Sequence, residues 1–324
     1  MRTPAEILDY FNRSLAAMPL DRQPQSLYEP VRYVLSLGGK RIRPVLLLMA
    51  YELYRSDTDR VLSSALGLET YHNYTLLHDD VMDRADVRRG RPTVHKVWNE
   101  NAAILSGDSM LVLAYQLMAK AEPQHLKAVL DLFTETALEI GEGQQMDLEF
   151  ENRDDVREEE YIEMIRLKTS VLLACALKLG AIQADAPETD AENLYRFGEQ
   201  LGLAFQLQDD LLDVYGDFKT FGKKIGGDIL CNKKTYMLIN ALRLANEDQH
   251  RELVGWLSRS DYDPEEKIHA VTALYDAIGI RSLAEQKINA YFEAALQSLE
   301  QVALTAERKQ PLRDLATSLL GRAS

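Results

Sequence analysis

The chain has 324 residues, of which 46% are hydrophobic and 27% charged, with 51 acidic and 37 basic side chains and a formal net charge of −14. This is the composition of a soluble globular protein large enough for a substantial core, and its acidity argues against a nucleic-acid partner. No apolar run approaches the ~20 residues that span a bilayer, so stable membrane insertion is not expected.

The remaining compositional signals concern location and substrate charge. The start, Met1-Arg2-Thr3-Pro4-Ala5-Glu6, has no signal-peptide apolar stretch. Cys175 and Cys231 show no metal-ligand spacing and no disulfide framework, which leads to the expectation of a reducing, cytoplasmic setting. An anionic substrate would need a local basic cluster and metal ions to override the global field.

Taken in chain order, apolar residues recur at helical spacing almost throughout. They do so at Ile7, Leu8, Phe11 and Leu15, then over residues 45–53, 62–77, 104–118, 126–140, 161–179, 193–214, 235–245 and 268–299. No segment shows the strict alternation of a strand. Breaks fall at 84–92, 123, 151–157, 184–189 and 216–228. Asp263-Pro264-Glu265-Glu266 predicts a helix start, with an N-cap, a proline at N1 and acids in the first turn. No repeat or composition shift divides the chain. We expect one all-α domain over residues 1–324, a bundle of many mostly antiparallel helices.

Two of these predicted helices carry Asp-Asp-x-x-Asp. The first copy is Asp79-Asp80-Val81-Met82-Asp83 and the second is Asp209-Asp210-Leu211-Leu212-Asp213. Positions i and i+4 share a helix face, so Asp79 stacks with Asp83 and Asp209 with Asp213. Stacked carboxylates repel unless a cation lies between them. Hard oxygen donors suit Mg²⁺, which is often held by one or two carboxylates together with substrate phosphates. Asp-Asp pairs are also common on solvated helix faces. Asp154-Asp155 is such a case, its neighbours 152–160 nearly all polar, and it reads as a linker or a capped first turn. The two Asp-rich motifs instead follow Tyr74-Thr75-Leu76-Leu77-His78 and Leu203-Ala204-Phe205-Gln206-Leu207-Gln208, which are largely apolar. They read as two walls for a metal-bound polyphosphate.

Basic and glycine-rich segments supply the complementary charge. Gly38-Gly39-Lys40-Arg41-Ile42-Arg43-Pro44 opens a helix, where close backbone approach and the helix N-terminus favour anions. Lys40 and Arg43 add donors for phosphate. Arg88-Arg89-Gly90-Arg91 follows the first Asp motif. Gly222-Lys223-Lys224-Ile225-Gly226-Gly227-Asp228 and Asn232-Lys233-Lys234-Thr235 follow the second. Lys168-Thr169-Ser170 interrupts an apolar helix, and because buried lysine is rare, Lys168 is expected to face a polar cavity.

In this order these motifs resemble the trans-isoprenyl diphosphate synthases, or polyprenyl synthetases. The likeness runs from residue 38 to about 235; the flanking residues match only as helices. It implies the isoprenoid synthase fold, a helix bundle around a central cavity, and the family's activity: Mg²⁺-dependent head-to-tail condensation of isopentenyl diphosphate with an allylic diphosphate by a homodimer. It further implies that Asp79 and Asp83 bind two Mg²⁺ and Asp209 a third, with Asp210 and Asp213 supporting and Asp80 counted among the metal-site carboxylates. Arg88, Lys168 and Lys223 would hold the allylic diphosphate, with Lys233 also among the substrate-binding residues. Lys40, Arg43, His72 and Arg89 would hold isopentenyl diphosphate. Thr169 and Gln206 would present oxygen atoms to the developing allylic cation, and the released pyrophosphate would take the proton.

Tyr74, Thr75 and Tyr71 precede the first motif by five, four and eight residues. At 1.5 Å per residue, Tyr74 and Tyr71 lie ~7.5 and ~12 Å deeper along the helix than Asp79. In the resembled family, bulky rings there accompany short products. Tyr74 with the smaller Thr75 therefore points to C15–C20, geranylgeranyl slightly ahead of farnesyl, with a longer-chain synthase as the alternative. The first motif lacks the two-residue insertion of typical bacterial farnesyl enzymes. A class I terpene cyclase would normally lack the second Asp motif and the Gly38–Pro44 segment. A non-catalytic subunit would usually have lost one Asp motif. A di-iron bundle could draw on Glu69-x-x-His72 and Glu247-x-x-His250, but the second lies in a wholly polar stretch.

Overall fold

A computed structural model describes residues 2–216 and 225–321. Its elements begin with α1 (Pro4–Ala16), α2 (Gln25–Ser36), α3 (Ile42–Glu52), a 3-10 turn (Thr58–Val61) and α4 (Leu62–Met82). A short hairpin follows, β1 (Val87–Arg88) and β2 (Arg91–Pro92), then α5 (Val94–Val97), α6 (Glu100–Met118), α7 (Pro123–Glu151) and α8 (Glu158–Ile165). A single π-helical turn (Arg166–Ser170) leads into α9 (Val171–Gln183) and α10 (Glu188–Tyr215). The chain ends with α11 (Gly227–Leu230), α12 (Tyr236–Leu244), α13 (Glu247–Ser258), α14 (Pro264–Ile278), α15 (Ile280–Glu300) and α16 (Ala306–Leu320). The all-α expectation holds.

Three local features depart from the sequence reading. The break at 84–92 contains paired strands, with Val87 opposite Pro92 and Arg88 opposite Arg91. Arg89 and Gly90 at its tip both have positive φ, 52° and 74°, as a two-residue type I′ hairpin turn requires. The helix expected over 161–179 contains the π-turn. The helix expected over 268–299 is interrupted at Gly279, where φ of 87° suits glycine and ends α14. The predicted cap of α14 is present: Asp263 Oδ1 accepts from the Glu265 and Glu266 amides at 2.9 and 3.0 Å.

The chain forms two compact units. One comprises Met1–Thr134, Cys175–Leu194 and Ala303–Leu312; the other comprises Glu135–Ala174, Tyr195–Val302 and Arg313–Ser324. Ile7, Phe11, Leu46, Leu47, Leu48, Tyr51 and Phe133 are almost completely buried in the first. Its helix α3 is buried from Pro44 to Glu52, which explains why the sequence there is apolar on every side. In the second unit, Tyr161, Leu207, Met237, Leu253 and Ile280 belong to one apolar cluster. No helix among the described residues is long and apolar enough to cross a membrane.

Candidate active site

In the first unit the acidic motif occupies the last turn of α4. Asp79 is half-buried and Asp80 buried, while Asp83 is the exposed C-cap, its amide donating to the Asp79 carbonyl at 2.8 Å. The hairpin carries Arg88 back over this turn. Its Nε donates to Asp80 Oδ1 at 2.6 Å and its Nη2 to Asp79 Oδ2 at 3.3 Å. Burial raises the Asp80 pKa, and the Arg88 charge opposes that rise.

The next residue, Arg89, turns toward the glycine loop. It donates to the Gly38 carbonyl and, at 3.4 Å, to Asn73 Oδ1. Gly39 has a φ of 125°, and a Cβ there would lie 2.8 Å from the Arg89 guanidinium carbon, so a larger residue would push this side chain aside. Arg43 Nη1 lies 3.2 Å from His72 Nε2. Burial, and then the charges of Arg43, Arg89, Arg88 and Arg41, hold the His72 pKa well below its ordinary value. A neutral His72 accepts from Arg43. Burial also lowers the Arg43 pKa to about 10, against the pull of Glu69. The structure thus brings Arg43, His72 and Arg89 together beside the middle of α4, while Lys40 is exposed on the adjoining loop.

The sequence reading missed the residues that hold this cluster. Arg41, with φ of 47°, is buried and pairs with buried Glu69 at 2.5 Å. Arg41 also donates to the Leu35 carbonyl at 2.6 Å, and Asn73 Nδ2 donates to Glu69 Oε1 at 2.9 Å. The available signal was an acid at 69 amid Leu66, Gly67, Leu68 and Thr70. Glu69 is therefore committed to Arg41 and Asn73, and Glu247 and His250 are exposed, which leaves no inward-facing di-iron ligand set from those two motifs.

Upstream of Asp79, α4 presents a row of rings. The His78 and Tyr74 ring centroids are 4.8 Å apart, Tyr74 and Tyr71 5.5 Å, and Tyr71 and Phe133 5.2 Å. Tyr71 is buried and Tyr74 half-buried. Thr75 donates its hydroxyl back to the His72 carbonyl at 2.8 Å and so adds no bulk beside Tyr74.

In the second unit, Asp209 and Asp213 are half-buried one turn apart on α10, and Asp210 is buried. Asp213 Oδ2 accepts the Asp228 amide at 2.9 Å, and its carbonyl accepts the Gly226 amide at 2.6 Å, so it fixes the start of α11. Asp210 accepts from the Tyr161 hydroxyl and, at 3.1 Å, from Gln206 Nε2. Burial, and then the Asp228 charge, raise the Asp210 pKa to about 7, against the Lys233 charge. Lys233 is exposed just beyond α11, its amide bonded to the Asp228 carbonyl at 2.9 Å. Lys223 lies outside the described residues.

The π-turn sets Lys168 and Thr169. Such single-turn bulges recur at functional sites. Two helix glycines admit it: a Cβ at Gly143 on α7 would lie 2.5 Å from the Lys168 amide nitrogen, and one at Gly202 on α10 would lie 2.6 Å from the Ser170 Cα. Lys168 is half-buried and donates to Asp147 on α7 at 2.5 Å. Thr169 Oγ1 donates to Gln206 Oε1 at 3.2 Å. Asp147 and Tyr161 were not singled out from sequence. Asp147 lies one residue beyond Gln144-Gln145, across Met146, and this polar stretch within α7 was a readable signal.

The donor chemistry fits magnesium. Asp79 with Asp83, and Asp209 with Asp213, are pairs of hard carboxylate donors, a complement that Mg²⁺ typically completes with water and phosphate oxygens. Among the described residues no three His, Cys, Asp or Glu side chains gather as a ready-made metal site. Arg88 already lies against Asp79 and Asp80, so this surface accepts a cation.

The chain belongs to the polyprenyl synthetase family, whose sequence model matches residues 24–275. It is 42% identical over 253 residues to a protein of Methanocaldococcus jannaschii described as a short chain isoprenyl diphosphate synthase, covering 78% of this chain and 77% of that one. It is 36% identical over 313 residues to a geranylgeranyl pyrophosphate synthase of Geoglobus acetivorans, covering 96% and 95% of the two chains. A crystal structure of a geranylgeranyl pyrophosphate synthase superimposes with a TM-score of 0.93 at 42% identity over the whole of both chains.

Proposed function

We propose that the protein is a Mg²⁺-dependent prenyltransferase. It condenses isopentenyl diphosphate with dimethylallyl, geranyl or farnesyl diphosphate to an all-trans C15–C20 diphosphate, geranylgeranyl slightly ahead of farnesyl. The observation that carries this reading is the hairpin tip. Arg88 reaches the carboxylates of Asp79 and Asp80, and Arg89, its neighbour, joins the loop that leads to Arg43 and His72. One turn of chain thus links the first carboxylate motif to the basic cluster.

Asp79 and Asp83 would hold two Mg²⁺ and Asp209 a third, with Asp210 and Asp213 shaping that turn. Bound there, Mg²⁺ supplies charge neutralisation for the departing diphosphate. Arg88, Lys168 and Lys223 bind the allylic diphosphate, assisted by Lys233. Lys40, Arg43, His72 and Arg89 bind isopentenyl diphosphate. The allylic C–O bond ionises, and the Thr169 and Gln206 oxygens face the resulting positive charge. The isopentenyl double bond attacks the allylic carbon, and a proton leaves the new cation to the released pyrophosphate. No side-chain base is required. Apolar walls keep water from the cation, and the Tyr74 ring limits the chain.

Residues 1–324 act as one catalytic domain, which we place in the cytoplasm. We assign a homodimer, for which exposed Leu105 and Val112, seven residues apart on α6, offer an apolar face. Pyrophosphate release from isopentenyl diphosphate plus each allylic primer tests the reading. Release that needs both substrates and stops with EDTA is expected. No release with any primer contradicts it.

A further inference from the structure

Tyr161 is 1% exposed on α8, and its hydroxyl reaches Asp210 Oδ2. A tyrosine hydroxyl buried this deeply requires a hydrogen-bond partner, and Asp210 is that partner. Asp210 as a carboxylate only accepts hydrogen bonds. It takes one from Tyr161 and one from Gln206 Nε2 at 3.1 Å, one helical turn back on α10. That second bond decides which way the Gln206 amide faces. With nitrogen toward Asp210, Oε1 is turned to Thr169, whose hydroxyl donates to it at 3.2 Å. Thr169 then spends its only hydroxyl hydrogen on Gln206, and its lone pairs remain for the ligand. With Asp210 ionised, each donor direction from Tyr161 to Thr169 follows from the one before it.

We propose that Tyr161 is a positioning residue of the prenyl-transfer step. Through Asp210 and Gln206 it orients the Thr169 oxygen toward the developing allylic cation. This inference rests on the function proposed above. Tyr161 touches no substrate. It fixes Asp210 Oδ2, leaving Oδ1 in place to hold the amide. Gly202 contributes by admitting the π-turn that carries Thr169. Networks of this kind are apportioned by double-mutant cycles, since each member acts through the next.

The test is Tyr161→Phe, which keeps the ring and removes the hydroxyl, alone and combined with Thr169→Val. Steady-state kcat and KM for both diphosphates are measured together with the thermal midpoint of each variant. The single variant should lose about tenfold or more in kcat, with both KM values within about twofold of the parent. In the Thr169→Val background the same change should cost less than about twofold, because the last link is already gone. An unchanged kcat, or an equal fall in both backgrounds, overturns the proposal. A fall in thermal midpoint accompanied by raised KM values would mark a packing role and overturn it too. A parent enzyme without turnover on any allylic primer would defeat the functional reading instead, and that outcome is visible before any variant is made.

Discussion

Replacing Glu69 by Gln removes one negative charge from a buried pair while keeping its shape. Arg41 and Glu69 side chains are 3% and 1% exposed and 2.5 Å apart. Removing one partner of such a pair costs ~3–5 kcal/mol, because the other charge is left uncompensated. Arg41 would keep its bond to the Leu35 carbonyl, 2.6 Å away, and the new amide oxygen could still accept from it. Those retained bonds bring the expected loss to ~2–4 kcal/mol. The assay is equilibrium urea unfolding at neutral pH, where the loss should lower the midpoint at unchanged slope. A second effect follows from the basic surroundings, since Glu69 also opposes the lowering of the Arg43 pKa. With Glu69 gone, the cluster of Arg41, Arg43 and Arg89 is less balanced. Pyrophosphate, by binding the folded state, should restore more stability to the variant than to the parent. A loss below ~1 kcal/mol would refute the claim that this pair holds the basic cluster in shape.

Four other outcomes follow. Asp79→Ala and Asp209→Ala should each abolish Mg²⁺-dependent turnover with the fold intact by circular dichroism; near-normal kcat in either would remove that residue from metal binding. Tyr74→Ala should lengthen the product seen by mass spectrometry, and an unchanged product would remove this ring as the floor. Gly143→Ala places a Cβ 2.5 Å from the Lys168 amide nitrogen. It should destabilise by ~1–3 kcal/mol and lower kcat, whereas parent-like kinetics would show that the π-turn tolerates displacement. His72 has a depressed pKa, so the stability tied to its neutral form is present above the unfolded value of ~6.5 and is lost as pH falls below it. His72→Asn should flatten that acid limb of urea stability, and an unaltered limb would assign it to other groups.

The all-α class was legible because apolar residues recur at helical spacing in long runs. The site was legible because its chemistry is concentrated in short segments: two carboxylate motifs, each followed by a basic loop. Tertiary companions were less accessible. Arg41 and Glu69 are 28 positions apart in sequence, and nothing local announces that they meet. Tyr161 looked like any aromatic residue of an apolar helix, and only the fold shows its hydroxyl on Asp210. The π-turn escaped notice because periodicity continues through it, and the glycines that leave room for it lie on other helices. The break at Gly279 between α14 and α15 was missed as well, because apolar periodicity over 268–299 continues through it, although a glycine there was a local signal. The helices α2, α13 and α16 were not predicted: each carries many polar residues, and two contain an internal proline, Pro30 and Pro311.

The central claim is tested most directly by mass spectrometry of the reaction products. The purified protein with Mg²⁺ and isopentenyl diphosphate would be given dimethylallyl, geranyl or farnesyl diphosphate in turn. Prenyl diphosphates of C15 to C20 are the predicted result, and they would support both elongation and the Tyr74 floor. Products of C30 or longer would keep the chemistry and refute the floor. The absence of any prenyl diphosphate with all three primers, with or without Mg²⁺, would contradict the account.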